Sequence, residues 1–213
     1  MPLSTFFFDL DETLYPSTSG LWQAIRERID LFMRTHLNLP EEEISPLRRR
    51  LFSTYGTTMR GLQVEYDIDA EEYLAFVHDL PLTQYIQPDP AVRAVLLGYR
   101  QRKLIFTNAD TNHARRVLGV LQLSDCFEQI IDIIAISPYC KPMPEAFKIA
   151  LQLSGEADAS RCMMVDDAPS NLAVARQLGI YTIRLGNDEP GPEYHSSIMR
   201  LTDLPQVLDP VMD

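Results

Sequence analysis

The strongest constraint on the fold is a short apolar run near the start of the chain that ends abruptly in acidic residues. Residues 3–8 read LSTFFF and are followed by Asp9, Leu10 and Asp11. Such a run is typical of a strand that is buried on both faces, as strands of parallel sheets are. Because ligands of open α/β sheets bind beyond the carboxyl ends of the strands, we expect Asp9 and Asp11 to lie at a ligand-binding edge.

Two carboxylates this close together repel each other unless a cation lies between them. A hard divalent ion that takes oxygen ligands, most simply Mg²⁺, meets that need. Taken alone, the Asp9-Leu10-Asp11 pair is equally compatible with a turn after a strand, since Asp caps nearby N–H groups. The assignment therefore depends on the other segments of the chain.

The composition of the chain restricts the kinds of molecule that it could bind. The chain has 213 residues and a formal net charge of −11, which argues against a nucleic-acid polymer or an anionic membrane as partner but permits a small phosphorylated substrate. Its three cysteines are scattered, which is typical of the reducing cytoplasm. We also expect no signal peptide, because Asp9 and Asp11 interrupt the first apolar run, and no membrane span.

Alternating helical and strand patterns after residue 89 predict an α/β fold, a Rossmann-like parallel sheet with helices on both faces. The expected strands are 103–106, 130–134, 162–165 and 181–184, and the expected helices are 89–99, 112–121, 144–153 and 170–178. Residues 15–88 read as all-helical, with a helix restarting at Pro46 and ending at Gly56. We therefore expect a core domain formed by 1–14 and 89–213, with a helical cap domain, 15–88, inserted into it.

Further polar residues follow apolar strands at the same predicted edge. Thr107 and Asn108 follow one strand, Asp166 and Asp167 follow another, and Lys141 lies in the loop before a helix. Each has an ordinary explanation by itself: a turn former, a helix N-cap or a solvated lysine. Their joint placement at the carboxyl ends of separate strands is what indicates a catalytic site.

At this point the chain resembles the haloacid dehalogenase superfamily of phosphohydrolases. The segments that carry the resemblance are Asp9-Leu10-Asp11-Glu12-Thr13, Phe106-Thr107-Asn108, Cys140-Lys141-Pro142 and Val165-Asp166-Asp167. They occur in the order typical of that family, and the helical stretch occupies the place of its cap. A phosphorelay receiver domain uses similar groups but lacks the large helical insert.

The resemblance implies a role for each residue. Asp9 is the expected nucleophile, which forms an aspartyl-phosphate, and Asp11 the expected general acid and then base. Asp9, the backbone carbonyl of Asp11 and Asp166 are the expected ligands of Mg²⁺, with Asp167 behind them. Thr107, Asn108 and Lys141 are expected to bind the phosphoryl group. Retention of Asp11 indicates phosphoryl chemistry, because halide-removing members lack an acid there.

Other segments look like the pyrimidine 5′-nucleotidase branch of that superfamily: Leu14-Tyr15-Pro16, residues 55–62 and Thr107-Asn108-Ala109. This implies a nucleoside monophosphate substrate such as UMP or CMP, with Arg60 as a residue that could select it. Tyr15 and Tyr55 could stack on a base or simply pack, and His113 could approach the site. The alternatives are a phosphatase for a sugar phosphate or phosphoglycolate, and a catalytically silent protein of this fold. Whatever its activity, we expect the protein to be a monomer or homodimer.

Overall fold

The structure, a computed structural model, describes residues 3–186 and 191–212. The chain forms two compact units, one made of Met1–Ser17 and Ile86–Asp213 and the other of Thr18–Tyr85. These junctions lie three residues from those expected at 14/15 and 88/89. Tyr15 consequently belongs to the first unit and not to the helical insert.

Within the described residues, six strands form one parallel sheet in the first unit. They are β1 (Thr5–Phe8), β2 (Arg102–Phe106), β3 (Gln129–Ile131), β4 (Cys162–Asp166), β5 (Tyr181–Leu185) and β6 (Ser196–Ile198). Their order is β3-β2-β1-β4-β5-β6, and every neighbouring pair is parallel. This is the Rossmann strand order, which confirms the predicted fold class.

Helices connect the strands and build the second unit. Those in the described residues are α1 (Leu21–His36), α2 (Glu41–Tyr55), α3 (Thr58–Tyr66), α4 (Ala70–Val77), α5 (Pro90–Gly98), α6 (Thr111–Leu121), α7 (Pro144–Ser154), α8 (Pro169–Gln177) and α9 (Leu204–Met212). The unit Thr18–Tyr85 contains α1–α4 and no strand among its residues. None of the helices in the described part of the chain has both the length and the hydropathy that a membrane span requires.

Strand β1 is buried on both faces, as its composition predicts. Phe6, Phe7 and Phe8 are each at most 2% exposed. Phe7 packs edge-on against Phe106, whereas Phe6 and Phe8 meet aromatic rings of residues 99 and 127. Because successive side chains of a strand point to opposite faces, the three phenylalanines anchor β1 in the centre of the sheet.

Two predicted elements were wrong in their bounds. The strand expected at 130–134 ends at Ile131, because the carboxylate of Asp132 accepts hydrogen bonds from the backbone N–H groups of Thr111 and Ala135 and thereby turns the chain. No new helix begins at Pro46, which lies inside the continuous helix α2. Proline removes one backbone hydrogen bond there, whereas α2 buries Ile44 and Leu51 on one side, which favours continuity.

Helices α2 and α3 approach each other closely at Gly61. A Cβ atom at this position would lie 2.7 Å from Leu51 Cβ and 2.9 Å from Tyr55 Cδ2. Such distances are too short for carbon atoms in contact, so only glycine permits this packing. Gly119 in α6 differs, since a Cβ there would have no atom within 4 Å.

We predict that Gly61→Ala destabilises the protein by about 1–3 kcal/mol, the usual cost of forcing a methyl group into a packed core. Gly119→Ala is the matched control and should stabilise by up to about 1 kcal/mol, because alanine favours the helix and has room. Urea denaturation followed by circular dichroism measures both. Equal effects of the two substitutions would contradict the close α2–α3 packing.

Candidate active site

The central position of β1 brings the candidate residues together. Strands β2 and β4 flank it, with Phe8 opposite Ile105 on one side and Val165 on the other. Residues just beyond these positions therefore emerge at the same carboxyl edge. The strand order also reverses between β1 and β4, and that is where open α/β sheets bind ligands.

A buried lysine joins two of these strand ends. The ammonium group of Lys141 lies 2.7 Å from Asp9 Oδ1 and 2.9 Å from Asp166 Oδ2. Lys141 is 1% exposed, and Asp166 is fully buried. Buried charges are costly unless they are paired, and this bridge places one ammonium group against both carboxylates in the interior.

The pKa values show that one lysine does not balance the site. Burial raises the pKa of Asp9 well above its usual value, and Asp166 and Asp167 add to the increase, although Lys141 opposes it. Burial, together with the charge of Asp166, raises the pKa of Asp167 to about 7. Burial alone would lower the pKa of Lys141, but Asp166 and Asp9 outweigh it and raise the pKa. The site therefore favours additional positive charge.

Asp166 and Asp167 have different surroundings. Asp166 accepts hydrogen bonds from the backbone N–H of Ala168 at 2.8 Å and from the side-chain amide of Asn171 at 3.0 and 3.1 Å, besides its contact with Lys141. Asp167 is partly exposed. Carboxylate oxygens of Asp9, Asp166 and Asp167 all lie within 4.8 Å of one another. The arrangement is a cluster of oxygen donors with the dimensions of a metal site.

Asn108 holds the backbone of Lys141 in place. Its side-chain oxygen accepts a hydrogen bond from Lys141 N–H at 2.8 Å, and its amide nitrogen donates to the Lys141 carbonyl at 2.9 Å. The two bonds tie the end of β2 to the lysine loop, 33 residues away in sequence. This pairing could not be predicted from the sequence, since it depends on the meeting of distant segments.

Thr107 is 1% exposed at the same edge. Its Oγ1 accepts a hydrogen bond from the N–H of Ala109 at 3.0 Å. A hydroxyl that accepts in this way keeps its own hydrogen for another acceptor. Thr107 is thus placed as a hydrogen-bond donor at the edge where Asp9 and Lys141 meet.

Tyr15 and His113 both contact Asp11, and the sequence did not reveal either contact. The Tyr15 hydroxyl donates a hydrogen bond to Asp11 Oδ1 at 2.7 Å, and His113 Nε2 lies 3.0 Å from the same oxygen. Burial, followed by the charge of Asp11, raises the pKa of Tyr15 above its usual range, so the phenol stays protonated. The nearness of residue 113 to Asn108 in sequence was the single hint that His113 approaches the site.

Arg60 lies in α3 of the helical unit and is 5% exposed. Its Nη1 donates to the side-chain oxygen of Gln63 at 2.8 Å. Arg60 is thus a buried arginine and not an arginine on an exposed helix surface. Tyr55, at the end of α2, donates to Glu65 at 3.1 Å.

Comparisons with known proteins agree with this geometry. A family model described as haloacid dehalogenase-like hydrolase matches residues 3–179. Phosphate metabolism protein 8 of Saccharomyces cerevisiae is 30% identical over 189 residues, which cover 82% of this chain and 59% of the yeast protein. The chain thus spans about three fifths of that relative. Glyceraldehyde 3-phosphate phosphatase of Pyrococcus abyssi is 26% identical over 193 residues, 85% of this chain and 80% of the relative.

Among solved structures, the HAD hydrolase YfnB from Bacillus subtilis, in a magnesium-bound form, superposes with a TM-score of 0.66 at 17% identity. The match covers 98% of this chain and 100% of YfnB. A hydrolase from Pseudomonas syringae gives a TM-score of 0.67 at 21% identity, over 98% of this chain and 99% of that one. At these identities the likeness establishes the shared fold.

We predict that Lys141→Met destabilises the protein by about 3–5 kcal/mol at neutral pH without added metal, because it leaves buried carboxylates without their counter-charge. Lys148→Met is the matched control: Lys148 is exposed on α7, and such a change usually costs less than about 0.5 kcal/mol. Thermal and urea unfolding of both variants test the difference. A loss at Lys141 no larger than that at Lys148 would show that the ion pair does not stabilise the fold.

Proposed function

Because this chain belongs to the haloacid dehalogenase-like hydrolases, we propose that it is a phosphomonoesterase that removes phosphate from a small phosphorylated metabolite. The observation that carries the proposal is the contact between Asp9 and Lys141 at the carboxyl edge of the sheet, with Asp11 two residues further on. A carboxylate beside a fixed ammonium group can attack phosphorus while the ammonium compensates the negative charge of the phosphoryl oxygens.

In the first step, a carboxylate oxygen of Asp9 forms a bond to phosphorus as the bond from phosphorus to the leaving-group oxygen breaks. Asp11 donates its proton to that oxygen, so the product leaves as an alcohol. Lys141 and the Thr107 hydroxyl stabilise the phosphoryl oxygens. Asn108 holds the backbone of Lys141, and we propose that its second amide hydrogen is donated to a phosphoryl oxygen.

In the second step, water attacks the phosphorus of the aspartyl-phosphate, and Asp11, now a carboxylate, accepts the proton from the water. The bond between Asp9 and phosphorus breaks, phosphate leaves, and both carboxyl groups return to their starting states. The same acid thus serves each half of the reaction in turn. The scheme requires the Asp11 side chain to lie beside that of Asp9 and not to coordinate the metal.

The donor set fits a hard divalent cation such as Mg²⁺. Three carboxylates lie close to one ammonium group, and burial, together with the repulsion between these acids, raises the pKa of Asp9 and of Asp167. Asp9, the backbone carbonyl of Asp11 and one of the paired acids would hold the ion. When bound, it would supply charge that neutralises the phosphoryl group and lowers the repulsion between that group and Asp9.

The structure favours Asp167 over Asp166 as the carboxylate that holds the ion. Both oxygens of Asp166 already accept hydrogen bonds from Lys141, Asn171 or the peptide of Ala168. A carboxylate so engaged is suited to orienting Lys141. We therefore propose that Asp167 would hold the ion and that Asp166 supports Lys141 behind it, the reverse of the roles that the family resemblance implies.

For the substrate we propose a pyrimidine nucleoside 5′-monophosphate such as UMP or CMP, with the helical unit as a cap whose Arg60 helps to select the nucleotide. The support is the resemblance of residues 14–16, 55–62 and 107–109 to that branch. The second candidate is a three-carbon phosphate ester, favoured by the 26% identity with the Pyrococcus abyssi glyceraldehyde 3-phosphate phosphatase.

We predict that the purified protein releases phosphate from p-nitrophenyl phosphate with Mg²⁺, that chelation with EDTA stops the release, and that Asp9→Asn abolishes it while leaving the far-ultraviolet circular dichroism unchanged. Asparagine cannot form the acyl phosphate. A panel of UMP, CMP, AMP, flavin mononucleotide, glyceraldehyde 3-phosphate and sugar phosphates then ranks the substrates. Turnover that persists in folded Asp9→Asn protein would rule out the covalent mechanism.

We predict that Asp167→Asn lowers Mg²⁺ affinity at least about tenfold, as loss of a charged ligand should, whereas Asp166→Asn lowers it less but reduces thermal stability more. Isothermal titration calorimetry and melting curves on the two isosteric variants separate the roles. The reverse pattern, with affinity lost chiefly in Asp166→Asn, would show that Asp166 is the ligand of the ion.

We predict that Arg60→Ala reduces kcat/KM for the preferred nucleotide about tenfold or more, the equivalent of one charged hydrogen bond, and changes turnover of p-nitrophenyl phosphate little. Arg49→Ala is the matched control, since Arg49 is an exposed arginine of the same unit. Equal losses on both substrates would show that Arg60 supports the fold and not substrate choice.

A further inference from the structure

Two side chains from separate segments converge on a single oxygen of Asp11. Tyr15 lies four residues further along the loop after β1, and His113 lies 102 residues away in the first turn of α6. Both contacts fall on Oδ1, at 2.7 Å and 3.0 Å. Neither Tyr15 nor His113 belongs to the acidic cluster or to the Asp9–Lys141 pair, so the binding of phosphate or metal does not explain why they contact Asp11.

The backbone around each partner keeps it in place. The N–H of Leu14 donates to the Leu10 carbonyl at 3.0 Å, which turns the loop and brings Tyr15 back towards Asp11. Asp110 caps α6 by accepting from the N–H groups of Asn112 and His113. The positions of both side chains therefore follow from the local backbone structure.

The side chains of His113, Tyr15 and Asp11 differ in their exposure to solvent. The His113 side chain is fully buried and Tyr15 is 4% exposed, whereas the Asp11 side chain is 14% exposed. Burying a phenol and an imidazole is costly unless their polar atoms find partners. Asp11 thus meets solvent on one side and two polar groups of the interior on the other.

We propose that Tyr15 and His113 are positioning residues that hold Asp11 Oδ1, so that the acidic proton is carried on Oδ2 and directed at the leaving-group oxygen. This inference rests on the proposed function, in which Asp11 is the general acid. The Tyr15 hydroxyl donates to Oδ1, and His113 donates as well in its Nε2–H tautomer. An oxygen that accepts two hydrogen bonds is the less favourable place for a proton, which leaves Oδ2 to carry it.

The same two donors serve both chemical steps. When the bond between phosphorus and the leaving-group oxygen breaks, the proton passes from Oδ2 to that oxygen, and the new Asp11 carboxylate is stabilised by the bonds to Oδ1. When water attacks the aspartyl-phosphate, Oδ2 accepts a proton from the water and Asp11 is restored. Tyr15 and His113 neither gain nor lose a proton in either step.

The test uses the dependence of kcat/KM on the leaving group. A good leaving group, such as 2,4-dinitrophenolate, departs without protonation, whereas an alkoxide needs the acid. In Tyr15→Phe and His113→Leu we expect kcat/KM to fall about 10- to 100-fold for alkyl phosphates, including the preferred metabolite, and less than about threefold for 2,4-dinitrophenyl phosphate. His113→Gln, which retains an N–H donor, should recover part of the loss.

Matched measurements distinguish positioning from a structural role. Tyr99→Phe removes another hydrogen bond between a tyrosine and an aspartate, the bond to Asp209 at 2.6 Å. This variant should leave kcat/KM unchanged for both classes of substrate. Mg²⁺ affinity, measured by calorimetry, should match wild type in Tyr15→Phe and His113→Gln. If His113→Leu does not fold, Tyr15→Phe and His113→Gln still provide the comparison.

Two results would overturn the inference: equal losses for both classes of leaving group, or a fall in Mg²⁺ affinity parallel to the fall in kcat/KM. Either would mean that Tyr15 and His113 support the site in general and do not direct the acid. Failure of the proposed function is distinguishable, because the wild-type protein itself would then release no phosphate from either class of ester.

Discussion

The contact on which the site depends is the buried bridge from Lys141 to Asp9 and Asp166. It connects the loop before α7 to the ends of two central strands, and it places one positive charge where the fold has gathered several negative ones. Burial raises the pKa of Asp9 and Asp167 even with this lysine present. Excess negative charge in the interior is unfavourable for stability. The same charge attracts a cation, which can in turn bind a phosphoryl group.

Other polar residues fix the geometry of that bridge. Asn108 holds the peptide of Lys141 through two hydrogen bonds, and Asn171 with the Ala168 peptide holds Asp166. The charged groups are therefore oriented by hydrogen bonds within the protein itself. Preorganised charges stabilise a transition state without having to rearrange during the reaction, and a network of satisfied hydrogen bonds is how a protein keeps charges so ordered in its interior.

The two units constrain the sequence in different ways. In the first unit the order of the strands determines which polar side chains meet, so the site residues occupy strand ends and the loops that follow them. In the helical unit the close approach at Gly61 determines how α2 and α3 pack, and Arg60 is its immediate neighbour. A substitution that alters this packing would also move Arg60, which couples the stability of the helical unit to any role in selecting a substrate.

The sequence by itself determined the fold class, the burial of an apolar first strand on both faces and the strand ends at which polar residues gather. These depend on local periodicity and on the alternation of strands and helices, which a short window of residues contains. It placed the end of β3 and the continuity of α2 wrongly, because Asp132 bonds to a residue 21 positions earlier and the burial of Ile44 and Leu51 outweighs the effect of Pro46. It also left β6 and α9 unassigned.

Only the tertiary structure decided which side chains are partners. The bonds from Asn108 to Lys141, from Lys141 to Asp166 and from His113 to Asp11 join residues that are 33, 25 and 102 positions apart. The sequence marked most of these residues as polar groups at one edge, but it could not assign their contacts. A hydrogen bond forms only where the distance between donor and acceptor lies within a few tenths of an ångström of its preferred value. That distance is set by the packing of whole strands and helices.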